Sequence, residues 1–149
     1  MRLHLLVLSL STLALGAALA GCGDDGGGTP VDAGAIDADP EAFNRCTRAN
    51  ATDATAAGAA RTITTPGFAY TPPCLRIKVG QTVTWESDFG FHPLGGGRVV
   101  GGAPMLEAGS PITSTTSGTS KTVTFTAAGS FGFFCMVHTD MQGVIYVES

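Results

Sequence analysis

Apolar and polar positions alternate with a period of two in several short stretches of this chain, and Gly and Pro separate the stretches. Such alternation is typical of β-strands with one buried face. The candidate strands are residues 62–64, 74–79, 82–86, 121–126, 131–135 and 143–147. Phe131, Phe133 and Cys135 share one face by the two-residue period. Seven or so short strands between Gly and Pro turns predict an all-β sandwich.

The connections between these stretches are less clearly defined. Gly80-Gln81 separates two candidate strands and predicts a hairpin-like unit. Trp85, on an apolar strand face, is expected to fill the core. Residues 43–61 fit either a helical turn or a loop. A structureless stretch as long as the Gly-rich residues 95–120 is unusual, so short strands or a helical turn are expected within 98–115.

Residues 1–21 have one early basic residue followed by an apolar run, the layout of a secretory signal peptide. The run ends in Leu19-Ala20-Gly21-Cys22, which resembles the bacterial lipobox. That resemblance implies cleavage before Cys22, a diacylglyceryl group on its thiol and anchoring to a membrane of the bacterial cell envelope. Gly23 follows where an Asp would favour the inner membrane, and so favours the outer one. The alternative is an ordinary signal peptide with Cys22 free or disulfide-bonded.

Charge divides the rest of the chain into two parts. Residues 22–42 are rich in Gly, Asp, Ala and Pro and predict a flexible tether, since they have little to bury. Six acids and no base fall within residues 23–41, whereas residues 43–149 carry six acids and seven Lys and Arg. The predicted domain, residues 43–149, is therefore close to neutral. It has no basic stripe for nucleic acid, and we expect a monomeric domain.

The strongest chemical signal is Cys135, His138 and Met141 in a Cys-x-x-His-x-x-Met array. A thiolate, two imidazoles and a weak axial thioether form the ligand set of blue-copper electron-transfer centres. The chain has three histidines, and His4 lies in the predicted leader, which leaves His92 as the second imidazole. A lone histidine beside an aromatic residue is usually structural, but the other three donors favour a ligand. Four protein ligands leave no open position for a substrate, which favours a carrier over an enzyme.

Cysteine usage is consistent with this assignment. Of the four cysteines, Cys22 is assigned to lipid and Cys135 to metal, which leaves Cys46 and Cys74. In an exported, oxidising compartment this pair is expected to form a disulfide. The alternative, in which either thiol joins the metal site, is disfavoured because neither lies near a histidine or in a Cys-x-x-Cys spacing.

The C-terminal sequence FTAAGSFGFFCMVHTDMQGVIYV, together with a histidine just after a TVTW strand, resembles cupredoxins of the plastocyanin, pseudoazurin and amicyanin group. The resemblance covers about residues 61–149, and the ligand spacing is similar to that of amicyanins. It implies a Greek-key β-sandwich that holds one type 1 Cu(I)/Cu(II) ion. The implied ligands are His92, Cys135, His138 and Met141. Pro93 departs from the family, where an Asn that fixes the loops is frequent at this position.

The resemblance also implies an electron path. In the family the electron leaves through the C-terminal histidine inside an apolar surface patch, and His138 is the matching residue. Pro93, Leu94 and Met136 are its expected patch neighbours. Met136 and Met105 are alternative axial ligands, although both are better explained as core or surface residues.

Three functions are compatible with these observations. The favoured one is a lipid-anchored electron carrier between an exported redox donor and acceptor. A copper-storage or copper-delivery protein would use the same ligands. A structural or adhesive sandwich that holds zinc or no metal would leave unexplained why both histidines outside the leader fall at ligand positions.

Overall fold

The computed structural model describes residues 42–149, in which all regular secondary structure is β-strand. Nine strands follow in chain order: β1 Thr52–Asp53, β2 Thr62–Thr64, β3 Cys74–Lys78, β4 Thr82–Glu86, β5 Leu94–Val100, β6 Ala103–Leu106, β7 Ser120–Thr124, β8 Gly129–Cys135 and β9 Gln142–Glu148. Within this range, no helix long and apolar enough to cross a membrane is present. The predictions for the leader, for Cys22 and for the tether up to residue 41 lie outside the described residues.

The strands form two sheets, which confirms the predicted all-β sandwich. The larger sheet has the order β1-β3-β9-β8-β5-β6, and the smaller has the order β2-β4-β7. β3 pairs parallel to both β1 and β9, and β2 pairs parallel to β4. The remaining pairs are antiparallel. β8 lies between β5 and β9 and is antiparallel to both. The loop that precedes β5 and the loop between β8 and β9 are therefore at the same end of the sandwich.

The hairpin-like unit predicted around Gly80-Gln81 is wrong, because β3 lies in the larger sheet and β4 in the smaller one. Ile77 of β3 and Val83 of β4 are both fully buried. The two apolar faces therefore pack across the core instead of lying side by side in one sheet. Gly80 has a φ of 85°, a left-handed conformation that glycine adopts readily, and allows the chain to cross between sheets.

The main core fills the space between the sheets, and Trp85 lies in it with no exposed surface, as predicted. The Phe133 ring is its edge-on neighbour at a centroid distance of 5.3 Å. The Tyr70 ring also packs edge-on to Phe133, at a centroid distance of 5.0 Å. Phe133 thus joins the aromatic core to the strand that ends at Cys135.

A second, smaller cluster covers the outer face of the larger sheet. Cys46 and Cys74 form a disulfide there with a Cα–Cα distance of 5.6 Å, which confirms the predicted pairing. Both pack with Val144 and Tyr146 of β9. Residues 43–51, which the sequence left undecided, form turns that lie against this face.

The Gly-rich segment contains two strands, in line with the expectation that strands occur there. β5 first pairs with β8 over residues 94–96 and then with β6 over residues 97–100. At Gly97 the φ is 147°, and a Cβ atom would meet the carbonyl oxygen of Met105. Only glycine allows the two backbones to approach so closely at the point where β5 changes partner.

Candidate metal centre

One short loop carries three of the predicted ligands. β8 ends at Cys135 and β9 begins at Gln142. The Cys135 N–H donates to the Met141 carbonyl at 2.8 Å, and the Met141 N–H donates to the His138 carbonyl at 2.9 Å. These two hydrogen bonds close the loop and hold Cys135, His138 and Met141 at one end of the sandwich.

His92 comes from the loop between β4 and β5, which crosses from the smaller sheet to the larger one. Its N–H donates to the Asp88 carbonyl at 2.7 Å, which fixes the turn before it. Two residues later β5 begins at Leu94, and Leu94 is paired directly with Cys135. Strand register therefore places His92 beside the cysteine, although the two are 43 residues apart.

The donor atoms of His92, Cys135 and His138 all lie within 4.8 Å of one another. The Cys135 Sγ is 4.0 Å from Nδ1 of His92 and 3.4 Å from Nδ1 of His138. Bonds of about 2.1 Å to nitrogen and about 2.3 Å to sulfur, the lengths seen for zinc, would separate N and S by about 3.8 Å in a trigonal plane. The two observed separations lie on either side of this value, so the three donors fit a single transition-metal ion.

Most of the donor set is buried, and burial favours the neutral, metal-binding form of His92. Cys135 and Met141 are buried, His92 is 7% exposed, and His138 is half-buried. Burial lowers the pKa of His92, and the neighbouring His138 lowers it further, against a smaller opposing effect of Asp88. The neutral imidazole, the form that binds metal, is thereby favoured. Cys135 is the one cysteine among residues 42–149 outside the disulfide.

Two phenylalanines that the sequence did not indicate cover the histidines. The Phe68 ring lies edge-on to His138 at 5.0 Å and to His92 at 5.7 Å, between ring centroids. Phe91 lies edge-on to His92 at 4.8 Å. Both phenylalanines are more than half exposed, as is Val137. Phe91 also lies 5.8 Å from His138, between ring centroids, and we call Phe68 and Phe91 the aromatic rim.

Leu94, predicted to neighbour this patch, is fully buried, and this prediction is wrong. Strand alternation explains the error, because Leu94 opens β5 with its side chain in the main core. Pro93 and Met136 are half-buried beside the ligand loop. Met105 is 57% exposed on the edge strand β6, as expected for a surface residue.

This fold and donor set have counterparts among known proteins. Residues 57–148 match the family described as copper binding proteins of the plastocyanin/azurin family. Among curated protein sequences none matches significantly. Similar solved structures include a reduced amicyanin variant (29% identity, 62% of this chain and 86% of that chain, TM-score 0.42). Others are amicyanin from Paracoccus versutus (24%, 62% and 85%, 0.43) and a purple cupredoxin from Nitrosopumilus maritimus (25%, 60% and 100%, 0.45).

The two-sheet sandwich and its cluster of soft donors define a cupredoxin with a type 1 copper site, formed by His92, Cys135, His138 and Met141. The chain belongs to the plastocyanin/azurin family of copper-binding proteins. Copper is therefore its cofactor. Membership in this family agrees with the prediction of a carrier and not an enzyme.

Proposed function

We propose that this protein is an exported, membrane-anchored electron carrier that passes single electrons between a redox donor and an acceptor. The observation that supports it best is the closed, buried donor set: Cys135 and Met141 are at most 1% exposed. A thiolate and two imidazoles suit both oxidation states of copper, and bound copper supplies the one-electron couple.

In this proposal His92, Cys135, His138 and Met141 would hold the copper ion. The ligand loop and the start of β5 hold these side chains through backbone hydrogen bonds and strand pairing. A scaffold that fixes its ligands allows electron transfer with little rearrangement. No coordination position is left for a substrate.

His138 is proposed as the electron exit. It is half-buried, whereas His92 is 7% exposed, so His138 lies closer to solvent. The aromatic rim surrounds it with apolar surface. Because residues 43–149 are nearly neutral, we expect redox partners to dock here by short-range apolar contact, with little dependence on ionic strength.

Export and anchoring complete the proposal. Residues 1–21 are the signal peptide, residues 22–42 the lipidated Cys22 and its tether, and residues 43–149 the cupredoxin domain. The Cys46–Cys74 disulfide supports an oxidising compartment outside the cytosol.

Lipidation at Cys22 is tested in a bacterial host fed a labelled fatty acid. The full chain should incorporate the label, and Cys22→Ser should not. Label retained in Cys22→Ser would contradict lipidation at this residue.

The copper-delivery alternative is tested by redox cycling. The full chain, loaded with copper and freed of excess metal, is reduced and reoxidised repeatedly in the presence of a competing Cu(I) chelator. An electron carrier should keep its copper over many cycles. Transfer of the ion to the chelator within the first reductions would support delivery and contradict the carrier function.

A further inference from the structure

Asn44 lies on the outer face of the larger sheet, outside the metal centre, and is 4% exposed. Its Nδ2, which has two N–H donors, lies within hydrogen-bond distance of three carbonyl oxygens, so that one N–H is shared: Gly97 at 3.0 Å, Phe133 at 3.2 Å and Gly143 at 3.1 Å. Its Oδ1 accepts a hydrogen bond from the Val99 N–H at 2.9 Å. One side-chain amide therefore connects β5, β8 and β9, the three strands that lead into the metal centre.

Two of these carbonyls lie on either side of the ligand loop. Phe133 is two residues before Cys135, and Gly143 is two residues after Met141. The Asn44 amide thus joins the two ends of the loop at the point where the chain leaves β8 and enters β9. The third carbonyl, Gly97, lies where β5 separates from β8, and strand pairing no longer holds the sheet together there.

The residues next to Asn44 fix it in place, and we call residues 43–46 the N-terminal arm. The guanidinium of Arg98 lies 3.8 Å above the centre of the Phe43 ring. Arg45 forms an ion pair with Asp140, which is itself in the ligand loop. Cys46 is bonded to β3 by the disulfide. The arm is therefore attached to the sheet on both sides of Asn44.

The sheet surface is shaped to accept this arm. A Cβ atom at Gly132 would approach the Phe43 ring and the Asn44 amide, as well as the Gly97 carbonyl. Asn44 has a φ of 48° and Arg45 a φ of 62°. A left-handed backbone is unfavourable for residues with side chains, and persists where the surrounding contacts stabilise it.

We infer that Asn44 is a positioning residue for the copper centre, which holds the two ends of the ligand loop together from outside the sheet. The expected effect on the reduction potential rests on the proposed function. The expected effect on the ligand loop applies to the metal-free chain as well. Without the amide, the three carbonyl groups lose a donor, and the loop is held only by β8–β9 pairing and by its own backbone hydrogen bonds. A loosened loop admits water, which favours the more highly charged Cu(II) state and lowers the reduction potential.

The test compares Asn44→Gly with Asn50→Ala in the full chain. Glycine adopts the left-handed backbone at position 44 readily and removes the side chain that carries the amide. Asn50 lies shortly after the N-terminal arm and is exposed. Its side chain accepts a hydrogen bond from the Thr47 N–H and so makes only a local contact, which makes it a suitable control. Asn44→Ser replaces the glycine variant if that variant does not fold.

Two measurements are made on each protein. Hydrogen exchange of the metal-free chain should show faster exchange at the loop amides of Cys135 and Met141 in Asn44→Gly alone. In the copper-loaded chain, Asn44→Gly should lose Cu(I) to a chelator faster by about tenfold or more, the size of effect seen for outer-shell partners of metal ligands. Its reduction potential should also fall, with that of Asn50→Ala unchanged.

Unchanged exchange at both loop amides, in a folded Asn44 variant, would overturn the inference whether or not the protein carries electrons. Faster exchange together with an unchanged copper-loss rate and potential would overturn the positioning role and leave Asn44 a structural residue. Failure of the parent chain to cycle between two copper states counts against the proposed function, and the exchange measurement still decides the role of Asn44.

Discussion

Phe68 shows how a single exposed side chain contributes to the centre. It is 64% exposed, yet its ring contacts both histidines that the site requires. No sequence pattern indicates this role, because Phe68 lies in a loop far along the chain from His92 and His138. His92 itself was predictable, since it is the only histidine outside the predicted leader besides His138. Metal-binding residue types that are rare in the chain can be identified from the sequence. A common apolar residue that packs over them, such as Phe68, cannot.

We predict that Phe68→Ala lowers the reduction potential and leaves the protein folded. Removal of the ring exposes both imidazoles to water, and water favours Cu(II) over Cu(I). The free energy of unfolding should change by less than about 0.5 kcal/mol, as for most surface substitutions. Voltammetry of the copper-loaded chain measures the potential, with Val79→Ala, at an exposed residue directly after β3, as the control. Equal potentials for Phe68→Ala and the parent would contradict a shielding role.

At the scale of strands, alternation located the elements but not their partners. The buried positions Leu75, Ile77, Val83 and Trp85 follow the predicted period. Nothing local distinguishes two strands that pair from two strands that face each other across a core, and the hairpin prediction failed for this reason. β6 was not placed because all four of its residues are exposed, so it has no alternation to detect.

Phe133 connects the core of the sandwich to the ligand strand β8. It has no exposed surface and packs on Trp85 and Tyr70, two residues before Cys135. We predict that Phe133→Ala lowers the free energy of unfolding by about 3–5 kcal/mol, the usual effect of such a cavity. Denaturant unfolding of the metal-free chain measures it. The exposed Phe68→Ala is the matched control, and similar losses for both would contradict the assigned core.

For the molecule as a whole, the disulfide attaches the N-terminal arm to the sandwich. Cys46 and Cys74 close a loop of 28 residues in sequence separation. We predict that the double substitution Cys46→Ala and Cys74→Ala lowers stability by about 3–4 kcal/mol, from the chain entropy of the unfolded state. Thermal unfolding of the metal-free chain measures this loss. Coincident transitions for the parent and the double variant would show that the disulfide does not stabilise the fold.

The ligand set was predictable because few residue types bind soft metals. The disulfide was predictable because only two cysteines remained once Cys22 and Cys135 had been assigned. The contacts that support the site were not, because the Asn44 hydrogen bonds span 53 to 99 residues of sequence. Long-range contacts of this kind depend on the completed sheet order, which alternation alone does not specify.

The most direct test of the central claim is the visible absorption spectrum of the full chain after addition of Cu(II) and removal of the excess. The account predicts an intense blue band from charge transfer between the Cys135 thiolate and copper, which is bleached by a reductant, restored by an oxidant and absent in Cys135→Ser. A colourless parent protein that binds zinc or no metal would contradict the assignment of a type 1 copper electron carrier.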